Sequence, residues 1–234
     1  LALAAAAATA VAELGADYVV KAMLAYAAGA LLVWLAVRPG APVGHSHPRF
    51  GAANRVTLLR LALAAALVAL LGETLAQPPW SASPLAWPVV VVATLAALLD
   101  AADGPLARRS GLASAFGARF DMETDAAFTL VLALLVLQAG QAGPWVLAAG
   151  LMRYAFVGAA RFLPWLAAPL APSRRRQTVC VVQITSLIVC LGPIVPPALA
   201  TALAAASLGL LALSFGIDVR ALARRRRTHL ETFP

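Results

Sequence analysis

Four aspartates hold most of the chemistry this chain can offer. Asp100 and Asp103 stand in Asp100-Ala-Ala-Asp103-Gly104-Pro-Leu-Ala107-Arg108, and eight residues later Asp121 and Asp125 stand in Gly117-Ala-Arg-Phe-Asp121-Met-Glu-Thr-Asp125. At 3.6 residues per turn, Asp100, Asp103, Gly104 and Ala107 share one face of a first helix, and Gly117, Asp121 and Asp125 share one face of a second. A loop from Arg108 to Phe116 returns the second helix antiparallel to the first, so the four carboxylates converge. Oxygen ligands in that number suit Mg²⁺, Mn²⁺ or Ca²⁺ better than zinc. The small residues Gly104, Ala107 and Gly117 on the same faces let a ligand approach the backbone closely.

The helices that must carry these acids are apolar. Hydrophobic residues make up 62% of the 234 positions and charged ones 12%, with a mean hydropathy of +0.86, against about 45–50% and ~25% in an ordinary soluble domain. Apolar stretches recur at Ala22 to Val37, Leu58 to Ala76, Trp87 to Leu99, Ala126 to Leu137, Trp145 to Trp165, Val179 to Leu191 and Ala198 to Ile217. A membrane crossing needs roughly 20 residues. The third and fourth stretches reach that length only if their helices continue through the acids. One Asp at a helix centre costs about 2.5–3.5 kcal/mol to insert, so four clustered acids require a cation among them. Metal-assisted catalysis, a transporter's cation site and solvated helix ends all remain open on this ground alone.

Charge sorts the connections into two sets. Segments 77–88, 138–144 and 192–197 contain no Lys or Arg, whereas 38–60, 106–119, 167–176 and the tail from Arg220 are basic. Positive charge accumulates on the cytoplasmic side, which puts the acid cluster near that face. The expected fold is an all-α integral membrane protein with a six-transmembrane-helix core from Leu58 and one extra N-terminal transmembrane helix, whose Lys21 lies outside. Residues 1–53 form the N-terminal helix and a cytoplasmic loop, and 54–234 the membrane domain with its basic tail. The net charge of +8 then reflects basic loops and anionic lipid, not nucleic acid. Cys180 and Cys190, ten residues apart in one apolar stretch, are too far separated along a helix for a disulfide. The run Leu1 to Ala12 lacks a basic start and is not read as a signal peptide.

Other residues suggest weaker roles. The segment from Arg38, with Pro39, Pro42 and Pro48, reads as a loop leading into a short interfacial helix that lays Arg49, Arg55 and Arg60 against lipid headgroups. His45 and His47 belong to a solvated loop. Arg153 and Arg161 lie on nearly one face of the fifth stretch; Arg153 either pairs with Glu123 or an aspartate of the cluster, or binds an anionic substrate. Arg174, Arg175 and Arg176 mark topology. Gln183, Thr185 and Ser186 are expected to bond between helices.

The pattern D-x-x-D-G-x-x-A-R, eight residues, G-x-x-x-D-x-x-x-D, met here at every fixed position, resembles the signature of the CDP-alcohol phosphotransferase (CDP-alcohol phosphatidyltransferase) family. Asn54-Arg-Val-Thr57-Leu-Leu-Arg60 is similar to the lead-in to that family's first span. The resemblance runs from Asn54 to about Arg227 and implies transfer of a substituted phosphate from a CDP-linked donor to an acceptor hydroxyl, releasing CMP. It implies two Mg²⁺ or Mn²⁺ ions on Asp100, Asp103 and Asp121 with help from Asp125, and Asp125 as the base. It also implies a CDP site formed by Asp103, Gly104, Ala107, Arg108 and Gly117. The partners expected are CDP-diacylglycerol, a small hydroxyl acceptor and surrounding lipid, with a second copy of the chain as a further candidate. The first acceptor expected is glycerol 3-phosphate, because Arg153 and Arg161 are placed to meet a phosphate. Inositol phosphate comes next; serine or another alcohol, or a lipid acceptor paired with a soluble CDP-alcohol donor, stays open, and a bacterial inner membrane is the expected location.

Overall fold

The computed structural model describes residues 14–37, 52–73, 79–110, 115–168, 170 and 173–232, and gives the helical backbone alone for 32–37, 52–55, 57, 101–110, 115–121 and 227–232. His45, His47 and Arg49 lie outside the described residues. Among the described residues seven α-helices carry the fold: α1 (Ala16–Val37), α2 (Ala52–Ala69), α3 (Ala86–Ser110), α4 (Ala115–Gln138), α5 (Ala148–Phe162), α6 (Arg174–Cys190) and α7 (Pro197–Thr232). Ala and Leu, the strongest helix formers, fill most of them, and no strand occurs among the described residues. Within α7, Pro197–Arg226 is long and apolar enough to cross a membrane, while Leu58–Ala69 and Ala86–Asp100 are shorter apolar helices.

The helices end where local chemistry stops them. Gly140 closes α4 in the left-handed region at φ 69°, and the Gln141 N–H returns to the Val136 carbonyl at 3.1 Å, the glycine turn that satisfies a helix's last carbonyls. The stretch Trp145 to Trp165, expected as one span, is divided into a 3₁₀ turn at Pro144–Leu147, the helix α5, and a second turn at Pro164–Ala167. Proline lacks an N–H and fixes its own φ, so it opens each turn but cannot continue a helix. The expected loop from Arg108 to Phe116 is shorter than anticipated, since α3 runs to Ser110 and α4 begins at Ala115.

The two ends of the bundle are held differently. At one end, the Gln138 side chain donates to the Leu70 carbonyl and accepts from Gly72 N–H, at 3.0 and 2.8 Å. There too, the Trp80 indole donates to the Leu191 carbonyl at 2.6 Å, and Thr201 to the Gln141 carbonyl at 2.9 Å. Lys21 meets Glu73 at 2.6 Å, which sets α1 antiparallel to α2. At the other end, Arg175 on α6 donates to the Ser214 carbonyl and to Asp218 on α7, at 2.6 and 2.5 Å. Between the ends, Leu67, Val89, Leu132, Val136, Leu187 and Leu191 are buried where α2, α3, α4 and α6 meet. Gly150 lets α5 approach α4 so closely that a Cβ there would lie 2.4 Å from the Leu130 Cα. Met23, Leu98, Val181 and Leu213 face outward, an apolar surface suited to lipid.

Candidate active site

The acids lie on continuous helices. α3 passes without a break through Asp100, Asp103, Gly104, Ala107 and Arg108, and α4 through Gly117, Asp121 and Asp125, so the spacing in the sequence is the spacing of a helix. The side chains of Asp103, Ala107, Arg108 and Asp121 lie outside the described residues, as does the surface around Gly104 and Gly117. Asp100 and Asp125 are described, and they meet through a third residue.

That residue is Arg60. Its Nη1 lies 2.6 Å from Asp100 Oδ1 and its Nη2 donates to Asp125 Oδ1 at 2.5 Å. Only 2% of its side chain is exposed. The expectation of Arg60 at lipid headgroups is therefore corrected: one helix, α2, begins at Ala52, and about two turns later it turns Arg60 inward against the acids. A buried guanidinium is tolerated only where carboxylates compensate it, and here two helices supply them. Its planar fork matches two carboxylates better than an ammonium can. Thr129, one turn beyond Asp125, donates to the Asp125 carbonyl at 2.8 Å.

Beside the acids runs a cavity of about 550 Å³. Arg60 and Asp100 lie at one end; Trp87, Phe128, Ile184 and Ile188 form part of its walls, and Ile194 lies at the other end. From Asp100 back to Trp87 the α3 wall is about 20 Å long at 1.5 Å per residue, longer than one leaflet's share of a ~30 Å hydrocarbon core. Leu98, Val181 and Ile194 on its rim are exposed, so the slot opens sideways. Sequence periodicity did not reveal it, because its lining comes from four helices and a turn. A smaller cavity of about 280 Å³, between Trp80, Gln141 and Pro193, lies at the far end of the bundle and contains none of the acids.

Arg153 on α5 is engaged by Glu123 on α4, donating from both Nε and Nη2. Arg161 is exposed at the end of α5, at the same end of the bundle as the acids and Arg175. Gln183 departs from expectation: both its amide atoms are buried without a hydrogen-bond partner.

Asp100 and Asp125 arrive from different helices and offer hard carboxylate oxygens, the ligand type a divalent cation takes, with the Arg60 guanidinium between them; among the described residues no group of three or more possible metal ligands comes together. Asp103 and Asp121 follow on the same two helices one turn from Asp100 and Asp125 respectively. Residues 50–216, more than half of the chain, match the family described as CDP-alcohol phosphatidyltransferase. No curated protein and no solved structure matches it.

Proposed function

This chain belongs to the CDP-alcohol phosphatidyltransferase family, and from that premise we propose that it is a membrane enzyme of phospholipid synthesis, moving a phosphatidyl group from CDP-diacylglycerol to a small alcohol. The observation that carries the donor assignment is the apolar slot ending at Arg60 and Asp100. A water-soluble donor would have no use for a wall of that length, whereas a lipid donor can lay an acyl chain along it with its diphosphate at the acids.

Asp100, Asp103, Asp121 and Asp125 would hold two Mg²⁺ or Mn²⁺ ions, whose charge offsets that of the diphosphate and of the departing CMP. The chain's own residues perform the rest. Asp125 takes the proton of the acceptor hydroxyl as its oxygen bonds to the phosphatidyl phosphorus. The bond from that phosphorus to the bridging oxygen breaks, and CMP leaves with the bridging oxygen. Gly104, Ala107, Arg108 and Gly117 line the nucleotide side. Arg153 and Arg161 receive a phosphate on the acceptor, which makes glycerol 3-phosphate the first candidate and inositol phosphate the second.

The membrane placement rests on α7, the outward apolar side chains and the segregation of charge. Lys21 is the exception at the far end, while Arg161, Arg174, Arg175, Arg176 and Arg220 gather at the acid end. That distribution favours a site facing the cytoplasm, in a bacterial inner membrane. Purified protein incubated with labelled CDP-diacylglycerol and a panel of acceptors tests the function. CMP should appear together with a new phospholipid for one acceptor, glycerol 3-phosphate first. No CMP release with any acceptor, in the presence of Mg²⁺ and Mn²⁺, would remove the proposal.

A further inference from the structure

Arg60 is the only charged side chain between Leu58 and Ala69, on a helix that is otherwise apolar over that interval. We propose that Arg60 is a positioning residue, an internal cation that fixes Asp100 against Asp125 and sets how tightly the acid cluster binds a divalent metal. The inference rests on the reading of those acids as metal ligands.

The geometry supports it in three ways. The two contacts use different nitrogens of one rigid planar group, so a single guanidinium bridges the two carboxylates and restrains the spacing between them. Arg60 also cannot withdraw cheaply, because α2 is held from several sides. α1 lies along it, with Gly29 so close to Leu61 that a Cβ would meet its side chain at 2.7 Å, and Tyr18 donates to the Ala66 carbonyl at 3.2 Å. Gln138 ties its last turn to α4. Finally, Arg60 is 2% exposed, so its charge is little screened by solvent.

Two effects of opposite sign follow. A guanidinium beside carboxylates relieves their mutual repulsion and stabilises the fold. The same positive charge repels an arriving divalent cation that shares those carboxylates. Arg60 therefore trades metal affinity for an assembled site. A residue that only supported packing would do the first and not the second.

The test measures Mn²⁺ binding and thermal unfolding on the full chain in lipid nanodiscs. Free Mn²⁺ is followed by its electron paramagnetic resonance signal, and Tm is taken in chelator and in saturating Mn²⁺. Arg60→Gln should bind Mn²⁺ about tenfold or more tightly than wild type, from the Coulomb term alone, and should lose Tm in chelator while recovering most of it with Mn²⁺. Arg60→Lys keeps the charge but reaches one carboxylate only, so it should fall between the two, and it carries the test if the Gln variant does not fold. Unchanged or weaker Mn²⁺ binding in the variants, or an equal Tm loss with and without Mn²⁺, would overturn the inference while leaving the proposed function standing. Absence of Mn²⁺ binding by the wild type would overturn both.

Discussion

Arg153 and Glu123 join α5 to α4 through two hydrogen bonds at the acid end of the bundle. Their side chains are 26% and 52% exposed, and an ion pair so open to solvent contributes about 0–1 kcal/mol. An acceptor phosphate can therefore take Arg153 from Glu123. Arg153→Ala should raise the acceptor KM by about one to two decades with the donor KM little changed, since a hydrogen bond to a charged group is worth roughly 1.5–3 kcal/mol. Glu123→Gln should shift the acceptor KM the other way, downward by about twofold to fivefold. Steady-state kinetics with each substrate varied in turn checks both, and a large Tm loss in Arg153→Ala with both KM values raised would make the pair purely structural.

Chelation should abolish turnover, and added Mg²⁺ or Mn²⁺ should restore it. Asp125→Asn and Asp100→Asn each leave Arg60 short of one carboxylate, so both should lower Tm, by as much as breaking a buried pair, about 3–5 kcal/mol, would dictate. Kinetics separate them. Asp125→Asn should lose about 10²–10⁴ in kcat while keeping much of its donor affinity. Asp100→Asn should lose donor affinity as well. Equal donor affinity in the two variants would deny Asp125 a role distinct from Asp100.

The apolar slot makes a prediction about chain length. Val189 lines it away from the acids and is partly exposed, so Val189→Trp narrows the far part without overfilling the buried core. The surrounding bilayer is as apolar as the slot, so selection operates by fit and the loss should be modest. Long-chain CDP-diacylglycerol should show kcat/KM reduced by about tenfold, while a short-chain donor, which need not reach Val189, should be unaffected. An equal loss for both donors would place the acyl chains elsewhere.

Gln183 is 2% exposed with both amide atoms unpaired. An unsatisfied buried polar group costs about 1–3 kcal/mol, so Gln183→Leu, similar in size and free of polar atoms, should be more stable. For a chain of this length each kcal/mol recovered raises Tm by about 2–4 °C. Thermal unfolding in detergent measures it. A lower Tm would show that the amide has a partner in the folded protein.

Helical spacing made the meeting of Asp100 and Asp125 legible in the sequence, because α3 and α4 carry them on unbroken helices. Pro144 and Pro164 carried the two turns that divide the expected fifth span, but hydropathy alone passed over them. Arg60 was misplaced for a physical reason: a charged residue at the start of an apolar stretch fits a headgroup contact and a buried ion pair equally well, and only tertiary packing decides. The slot was invisible because Trp87, Phe128 and Ile184 come from different helices. Gln183 was read as a bonding group because sequence shows a polar side chain but not the faces opposite it.

The unequal fastening of the two bundle ends has a mechanical consequence. The end with Gln138, Trp80 and Thr201 is stitched mainly by hydrogen bonds to main-chain groups, which salt and ions leave intact, with the single Lys21–Glu73 pair beside them among the described residues. The acid end is closed largely by charge pairs, Arg60 with Asp100 and Asp125, Arg153 with Glu123, and Arg175 with Asp218, each of which a phosphate, a metal ion or another charged group can compete for. Were charged substrates to loosen those pairs, the stitched end would serve as a pivot and each helix as a lever arm, so displacement would grow with distance from the pivot and be largest at the acid end.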